Sequence, residues 1–564
     1  MAKTAEMTLE LSFGSISAER PDSKPTRFRI ALMGDFSGRA AKGEVAIGAD
    51  LAARRPIKLD VDTLDKVIHG FATTLVLPVG KKGQGIAVEL GSIDDLHPDE
   101  LFEKVEMFAE LVALKRRLAS GSTAKGAVTE LRAWGAEFGH KVNPPARTSK
   151  GNAVPADRKL SDFAALVGGN VTRKAKASPA DELMARIVGP YIQALPDPDA
   201  AAMQNAVEES LAGAMRLVLH HPEFQSLEAQ WRMLDLFTRS VETDAKLDIV
   251  LYDISAEELA ADLAAQDDLT TSGFGELLIE GTPDGRGPFS AVCGFYTFEE
   301  TPPHAELLGR IAKLCAHVNA PFFAAITPGF LEVAKDDRHP LTAQAWDALA
   351  ALPEAGHVAL ASPRFLLRRP YGAKSEPIYE FEFEEFTEHE GLSGMLWANP
   401  VALVVILLAQ SFRKNGPSLQ LGSVMSLGGM PFHYVKDRYG DQVALPCTER
   451  NLTQAKTSVA VARGLMPVLS VKGRDEVRLG SFQSLAGGTV LGPWTNLPPP
   501  KPKSEPERAA PPEEEDVGEE AAGEDDLAAL LEGFEDGGSG DDEAEDSGGD
   551  EEMDADLAAL LASL

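Results

Sequence analysis

The first place where this sequence could do chemistry is a strand-like run that ends in a glycine-bearing loop, RFRIALMGDFSGRAAKG at residues 27–43. Many phosphate-binding sites begin in this way, because backbone N–H groups after a strand can point at an anion. A Walker loop also needs a lysine and a hydroxyl residue after its last glycine, whereas Gly38 and Gly43 are followed by arginine and glutamate. The dinucleotide spacing of glycines is missing as well. The pattern therefore favours a tight strand-exit turn, in which Asp35 or Ser37 caps the backbone that follows.

Two other clusters are weaker candidates for chemistry. The carboxylate-dense stretch at residues 376–390 could hold a cation, or it could form a polar-faced strand whose apolar content is Ile378, Phe381 and Phe383. The arginine pair at residues 368–369 could bind an anion or form interface salt bridges. No motif combines a nucleophile, a base and oxyanion donors. The sequence therefore predicts no catalytic, cofactor-binding or metal-binding residues.

Charge is distributed unevenly along the 564 residues. Residues 504–564 contain 24 acidic residues and one arginine, and so contribute −23 to the net charge of −33. The remainder is mildly acidic and has no basic stripe, so nucleic-acid binding is not expected. The three scattered cysteines are too few for a disulfide framework or a thiolate zinc site, which fits a reducing cytoplasm.

Membrane insertion is not expected either. The N-terminus has no basic-then-apolar signal architecture. Residues 391–412 are uncharged over a length close to that of a membrane-spanning helix, but they include proline, asparagine and glutamine, and their densest apolar core is only VALVVILL. This composition favours a buried helix of a soluble domain.

The elements that must position these residues alternate between strands and helices, which predicts an α/β fold. A small α/β body is expected at residues 1–135 and includes a single amphipathic helix at 97–118. Residues 136–180 are typical of a linker and contain a short apolar helical motif. A larger α/β body follows at residues 181–496. A proline-rich hinge and a disordered acidic tail are expected at residues 497–564.

The large body shows clear signals for its first elements. Apolar residues spaced four apart predict a helix at 199–219, and a second helix follows at 220–237. Ser255 and Glu258 form a capping box for a third helix. Strands are predicted at residues 246–255, 289–298, 320–328 and 357–372.

Taken in order, these segments resemble the two subunits of the type VI secretion contractile sheath, joined in one chain. The small, VipA-like (TssB-like) subunit is similar to residues 27–39, 57–68 and 85–118. The large, VipB-like (TssC-like) subunit is similar to residues 219–234, 248–263, 320–331, 362–372, 394–416 and 480–488. The resemblance covers about residues 27–118 and 181–490.

The resemblance implies a structural role without an active site. Such subunits form a helical polymer around a tube of stacked hexameric rings on a baseplate, and contraction drives the tube out of the cytoplasm. A Clp-family AAA+ ATPase then dismantles the contracted form. The large subunit of the family continues beyond the point matched near residue 490, with a final strand that pairs with neighbouring subunits. A second interpretation therefore stays open, namely a non-polymerising sheath-like adaptor, end-cap or assembly factor.

A repeated hexapeptide suggests a further partner-binding feature. DLAALL occurs at residues 526–531 and 556–561, and the related SDFAALVGG at 161–169 lies where the family carries a helix that the disassembly ATPase recognises. Helices this short form mainly on a partner's groove, and three tethered copies would raise avidity. The alternative is a solubilising tail with incidental alanine–leucine runs. The predicted partner-binding residues are Phe163, Leu166, Val167, Leu527, Leu530, Leu531, Leu557, Leu560 and Leu561.

Overall fold

The computed structural model describes residues 9–18, 27–79, 85–119, 123–138, 198–279, 287–436 and 439–495. We refer to residues 9–138 as the first segment and to residues 198–495 as the second segment. Both lie within one unit that spans residues 1–497. Helices and strands combine around a large mixed sheet, so the predicted α/β fold is confirmed. The predicted linker, apart from the helix end at 136–138, and the predicted acidic tail lie outside the described residues.

Nine strands form the central sheet. In the order in which they lie side by side, they are Ser426–Gly428 (β11), Glu476–Leu479 (β15), Met466–Ser470 (β14), Val358–Ser362 (β8), Phe322–Ile326 (β7), Ala291–Phe298 (β6), Phe28–Gly34 (β1), Leu247–Asp253 (β5) and Ile57–Lys58 (β2). The six strands from β14 to β5 run parallel, and the outer strands are antiparallel to their neighbours. The two edge strands are only three and two residues long.

Strand β1 joins the two segments of the chain in this sheet. It pairs along its whole length with β5, from Phe28 opposite Leu247 to Gly34 opposite Asp253, and on its other side it pairs with β6. Every residue of β1 is buried, which is typical of a parallel strand with helices on both faces. Such a strand needs a neighbour on each side, and the second segment supplies both. The two segments, which the sequence suggests are separate bodies, therefore share one sheet.

Helices cover both faces of the sheet and create two cores. Ile30 and Leu32 of β1 face one core, whereas Ala31 and Met33 face the other, because successive side chains of a strand alternate. The helices are Arg39–Lys42 (α1), Ala49–Ala52 (α2), Leu64–Phe71 (α3), Pro98–Lys104 (α4), Glu106–Ala119 (α5), Ala124–Phe138 (α6), Pro198–Leu219 (α7), Pro222–Ser240 (α8), Ala256–Ala265 (α9), Gly273–Ile279 (α10), Pro302–Val318 (α11), Pro340–Ala350 (α12), Val401–Asn415 (α13) and Gln454–Ala462 (α14).

Three two-stranded pairs lie outside the central sheet. The pair that matters most below is the antiparallel hairpin of Thr73–Leu77 (β3) and Ile86–Leu90 (β4). Burial alternates along β4, since Val88 and Leu90 are buried and Ala87 and Glu89 are exposed. The other pairs are Phe365–Leu366 (β9) with Trp397–Ala398 (β10) and Tyr434–Lys436 (β12) with Gln442–Ala444 (β13).

The first elements predicted for the second segment are confirmed. The predicted helices at 199–219 and 220–237 correspond to α7 and α8, and the capping box between Ser255 and Glu258 begins α9. The apolar residues four apart on α7 are all buried: Met203, Val207, Leu211, Met215 and Leu219.

The uncharged run at 391–412 supplies a buried helix, as predicted. Ten of the fifteen residues of α13 are buried, among them the whole apolar run from Val401 to Ala409. No helix among the described residues has the length and apolar character that crossing a membrane requires.

The single helix predicted at 97–118 is wrong, because the chain forms two helices. Val105 separates α4 from α5 with extended backbone angles (φ −88°, ψ 119°). This β-branched residue is only 2% exposed, and β-branched side chains favour extended over helical backbone. The break buries Val105 in the same core as Leu101 and Phe108.

The polar-faced strand predicted at 376–390 is also wrong. The N–H groups of Tyr379 and Glu380 donate to the Asp99 carboxylate and not to a neighbouring strand. Glu385 is buried in this stretch and accepts a hydrogen bond from the N–H of Tyr371. Side-chain carboxylates thus satisfy backbone donors that a sheet ladder would otherwise satisfy.

Candidate functional site

The carboxyl ends of β1 and β5 lie side by side at the edge of the sheet where open parallel α/β sheets usually bind ligands. We call the region formed by residues 34–54 and 253–258 the strand-end crevice. Asp253, the last residue of β5, accepts hydrogen bonds from the N–H groups of Phe36 (2.8 Å) and Ser37 (3.2 Å). It also accepts one from the Ser37 hydroxyl (2.7 Å). The first backbone donors after β1 are therefore occupied by a carboxylate.

Asp35 completes the turn after β1. Its carboxylate accepts the N–H groups of Arg39 and Ala40, the latter at 3.0 Å. This confirms the predicted strand-exit turn and identifies Asp35 as its capping residue. A phosphate would need these same N–H groups and would be repelled by the two carboxylates. The loop therefore provides a structural joint and not an anion cradle.

Glu258 is the centre of the contacts between the first segment and α9. Its side chain is fully buried and lies 2.9 Å from the Arg39 guanidinium and 2.7 Å from that of Arg54. It also accepts the N–H groups of Ala46 (3.0 Å) and Ser255 (3.0 Å). One carboxylate of the second segment thus binds two arginines and one loop N–H group of the first segment.

The pKa values of three carboxyl groups in the strand-end crevice are shifted in opposite directions. Burial raises the pKa values of Asp35 and Asp253, despite hydrogen bonds that favour their ionised forms. Burial also acts against ionisation of Glu258, but the hydrogen bond from Arg39 and those from Ser255 and Ala46 outweigh it, so its pKa is lowered. Only Glu258 is therefore stabilised as a carboxylate by its surroundings.

Three further contacts join the first segment to the second, one within the central sheet and two along the helix α11. Arg29 of β1 and Asp248 of β5 are register partners and form a buried ion pair at 3.3 Å. The N-terminal stretch at residues 9–18 lies along α11, where Arg310 donates to the carbonyl of Ser12 (3.0 Å) and Lys313 to that of Gly14 (2.7 Å). These contacts supplement the strand pairing with charge-assisted hydrogen bonds.

A second buried cluster, which we call the arginine cluster, contains Arg368, Glu228, Glu385, Arg232 and Tyr371. Arg368 lies 2.7 Å from Glu228 and 2.6 Å from Glu385, and both glutamates are almost fully buried. Arg232 pairs with Glu228 at 2.7 Å and donates to the Tyr371 hydroxyl at 2.8 Å. Of the interpretations of the arginine pair at 368–369, ion pairing is the one that applies to Arg368, and its partners are internal.

The charges of the arginine cluster stabilise one another. Burial opposes ionisation of Glu385, but the charge of Arg368, the nearby His220 ring at 3.7 Å and hydrogen bonds from Arg368 and the Tyr371 backbone lower its pKa to about 2. Beside the cluster, the first segment contacts the loop at residues 376–390. His97 meets the ring of Tyr371 edge-on (5.1 Å between centroids), and Phe102 stacks on Phe381 (5.1 Å).

The structure does not test the predicted partner-binding residues. All nine, Phe163, Leu166, Val167, Leu527, Leu530, Leu531, Leu557, Leu560 and Leu561, lie outside the described residues. Within the described part of the chain, no group of three or more His, Cys, Asp or Glu side chains could hold a metal ion. The three cysteines are buried and form no disulfide.

Sequence reasoning missed most of the residues that build the two clusters. The sequence identifies Glu258 only as a capping residue, and Asp253 only as part of the strand predicted at residues 246–255. Glu228 lies on α8 and faces the core, so an acidic residue on an otherwise apolar helix face was the available signal. Its partner Arg368 is 140 positions away, and no local pattern could have connected the two residues.

Comparisons with known proteins match both segments. The family model described as EvpB/VC_A0108, tail sheath N-terminal domain (VipB) matches residues 201–486. The model described as Type VI secretion system, VipA, VC_A0107 or Hcp2 matches residues 6–133. The Type VI secretion system sheath protein TssC1 of Pseudomonas aeruginosa is 31% identical over 299 residues, which cover 50% of this chain and 60% of TssC1. The chain thus spans less than two thirds of the length of that relative.

The two matches agree with the geometry described above. The VipA match contains β1, and the tail-sheath match contains β5 and β6, which lie on either side of it. The tail-sheath match alone covers half of the chain. The chain therefore belongs to the tail-sheath family of type VI secretion systems and carries a VipA-type segment and a VipB-type segment in one polypeptide.

Proposed function

We propose that this protein is a structural subunit of a type VI secretion contractile sheath, in which one chain supplies a complete small–large protomer. The observation that carries the proposal is the position of β1 of the VipA-type segment between β5 and β6 of the VipB-type segment. Two segments that share a sheet move as one body. Fusion also keeps them at a ratio of one to one.

The same geometry supports a mechanical role and not a catalytic one. In the strand-end crevice, where many α/β enzymes bind substrates, the backbone donors of Phe36, Ser37, Arg39 and Ala40 are taken up by the chain's own carboxylates. Sheath contraction would then draw on rearrangement of contacts between protomers rather than on a reaction at a site.

The proposed partners follow from the role of a sheath subunit. They are further copies of the chain or other sheath subunits, hexamers of the tube protein, the baseplate and a Clp-family AAA+ ATPase, all in the cytoplasm. The three apolar motifs at residues 161–169, 526–531 and 556–561 would serve as docking sites for the ATPase. Their three-fold presence on one chain favours binding through avidity.

A second candidate function is a sheath-like adaptor, end-cap or assembly factor that does not polymerise. One structural observation favours it. The edge strands β2 and β11 contain only two and three residues, and short edge strands discourage the addition of another strand. Under this proposal, the protein would bind a sheath end or the ATPase without propagating a polymer.

Negative-stain electron microscopy of the purified full-length chain, alone and with its tube protein, separates the two candidates. The sheath proposal predicts long tubules with regular helical striation. Small monodisperse particles under both conditions would contradict it and support the adaptor.

A separate experiment addresses the docking motifs. The full chain and a variant with Leu527, Leu530, Leu531, Leu557, Leu560 and Leu561 replaced by serine would each be titrated with the ATPase. Lower affinity of the variant is expected, and equal affinity would reject the two tail motifs as docking sites.

A further inference from the structure

A groove in the VipA-type segment contains carboxylates and a tryptophan N–H that have no partner among the described residues. It has a volume of about 1180 Å³ and lies between β4 and the helices α5 and α6. On α5 it follows the face from Glu106 to Arg117, which is about 16 Å at the helical rise. We call it the hairpin groove. None of the residues that line it belongs to the strand-end crevice or to the arginine cluster.

The charge of the hairpin groove is acidic and largely uncompensated. Glu89, Glu106 and Glu110 line it, and none of the three has an ion-pair or hydrogen-bond partner within the described part of the chain. The two basic side chains of the lining are already engaged, because Arg117 pairs with Glu130 and Lys104 pairs with Asp95 and Glu100. Three carboxylates are therefore available to a basic ligand.

A buried donor in the groove also lacks a partner. Trp134 lines the groove and is 6% exposed, and among the described residues nothing accepts a hydrogen bond from its Nε1–H. Leaving such a donor unpaired costs about 1–3 kcal/mol, so buried donors without partners are uncommon. A ligand that offers a carbonyl oxygen would satisfy it.

The third feature is the open edge of β4. In the described structure β4 pairs only with β3, and its residues Ile86, Ala87 and Glu89 line the groove. An unpaired strand edge is a template for a further extended chain, which also presents carbonyl oxygens. Together, the edge, the donor and the carboxylates fit a basic peptide in extended conformation.

The chain itself contains such a peptide close to the groove. The polypeptide leaves α6 at Phe138, which lines the groove, and residues 139–180 contain eight Lys or Arg and only two acidic residues. The densest basic stretch is VTRKAK at residues 171–176, with three bases in four positions after a β-branched pair. The acidic C-terminal tail, by contrast, would be repelled.

Length permits this segment to reach the groove. Thirty-three positions separate Phe138 from residue 171, and a flexible chain of that length has a root-mean-square span of about 30 Å. Six residues in extended conformation cover about 20 Å, which matches the groove. We infer that the hairpin groove is the docking site of residues 171–176 of the same chain, bound as an extra strand on the edge of β4.

This pairing places basic residues next to the three free carboxylates. Thr172, Lys174 and Lys176 would lie on one face of the added strand and Val171, Arg173 and Ala175 on the other. Opposite charges across paired strands are stabilising. The inference does not depend on whether the protein forms a sheath.

Disulfide trapping in the full-length chain tests the inference directly. The native cysteines are all buried and unpaired, so introduced ones dominate the reaction. Ala87→Cys, in the groove, is combined with Ala175→Cys. The matched control combines Thr129→Cys, exposed on α6 and outside the groove lining, with the same Ala175→Cys. In a glutathione redox buffer we expect the groove pair to close at least about tenfold faster, because docking raises the effective concentration.

The products decide the outcome. An intramolecular disulfide in the monomer, identified by mass spectrometry, supports the inference. Equal rates for the groove pair and the control would overturn it. Closure only between two chains would overturn the assignment to the same chain and indicate a second copy as the occupant.

A charge-reversal cycle separates specific docking from chance encounter. Glu106→Lys with Glu110→Lys, added to the groove pair, should slow closure about tenfold, to the rate of the control. Replacing Arg173, Lys174 and Lys176 by glutamate in that background should restore it. Glu103→Lys, on an exposed residue outside the groove, should leave the rate unchanged. If none of these substitutions changes the rate of disulfide formation, the electrostatic basis of the inference is overturned.

Discussion

The strand-end crevice and the hairpin groove are both rich in carboxylates, but they differ in how the central ones are satisfied within the described residues. Glu258 in the crevice is fully buried and meets two arginines and two backbone N–H groups. Glu106 and Glu110 in the groove are exposed and have no partner within the described residues. A buried charge persists only when its partners are built into the fold, whereas an exposed charge remains available for binding. The comparison identifies the crevice as a structural joint and supports the proposal that the groove is a binding surface.

In the arginine cluster, as in the crevice, buried charges are paired with one another. Removing one of these charges should give the largest loss of stability. Arg368→Leu would leave Glu228 and Glu385 buried without their main counter-charge, and should lower the free energy of unfolding by about 3–5 kcal/mol. The neighbouring Arg369 is exposed, so Arg369→Leu should change it by less than about 0.5 kcal/mol. Urea denaturation followed by circular dichroism measures both. Equal effects would mean that the internal ion pairs do not contribute as described.

Acid titration gives the next largest effect. The pKa of Glu385 is lowered from 4.5 to about 2, so its contribution to stability is fully present above pH 4.5 and is lost as the pH falls towards 2. The contribution is on the order of 3 kcal/mol. Asp35 and Asp253 act in the opposite direction, since burial raises their pKa values.

Stability measured against pH checks this. Glu385→Gln should flatten the dependence of stability on pH between about pH 4.5 and 2, whereas Glu382→Gln, at an exposed position three residues away, should not. An unchanged slope in Glu385→Gln would contradict the assignment.

The strand-end crevice and the hairpin groove also differ in whether the indole N–H of a nearby tryptophan has a hydrogen-bond acceptor. Trp231 donates from Nε1 to the carbonyl of Phe36 at 2.9 Å, whereas Trp134 has no acceptor among the described residues. Trp231→Phe should therefore cost about 2–3 kcal/mol, because it loses a hydrogen bond and leaves a small cavity. Trp134→Phe should cost less when docking of residues 171–176 is prevented by replacing Arg173, Lys174 and Lys176 with glutamate, because nothing among the described residues then accepts the Trp134 hydrogen bond. If residues 171–176 supply a carbonyl to Trp134 in the full-length chain, the two costs should become similar, and thermal denaturation of both variants measures the difference.

The smallest expected effect concerns the N-terminal stretch on α11. A Cβ at Gly309 would lie 2.1 Å from the ring of Phe13, so Gly309→Ala should displace residues 9–18 at a cost of about 1–2 kcal/mol. Gly70→Ala, in a helix with nothing within 4 Å, should instead stabilise the protein by about 0.5–1 kcal/mol. Denaturant midpoints, together with hydrogen exchange over residues 9–18, distinguish the two. Unchanged exchange in Gly309→Ala would show that this stretch is not held by that contact.

The elements with regular hydrophobic periodicity could be predicted from the sequence. Strands β1 and β5, the helices α7 and α8 and the capping box of α9 are visible because their signals lie within a few residues of one another. Strands β14 and β15 were missed. Pro467 lies within β14, and β15 has only four residues, so neither carries a strong local pattern. The break at Val105 and the irregular loop at 376–390 were mispredicted because distant side chains decide them.

By itself, the sequence determined the α/β class, the resemblance to sheath subunits and the asymmetry between a mildly acidic body and a strongly acidic tail. Composition and periodicity are properties of the sequence and of short segments, so they do not depend on the tertiary structure. Only the tertiary structure decided that β1 lies between β5 and β6, that Arg368 neutralises Glu228 and Glu385, and that Glu89, Glu106 and Glu110 line the hairpin groove without a partner among the described residues. The position of β1 and the pairing of Arg368 with Glu228 depend on contacts between residues more than a hundred positions apart, and such contacts are selected by burial of two faces of one sheet and not by any neighbouring residue.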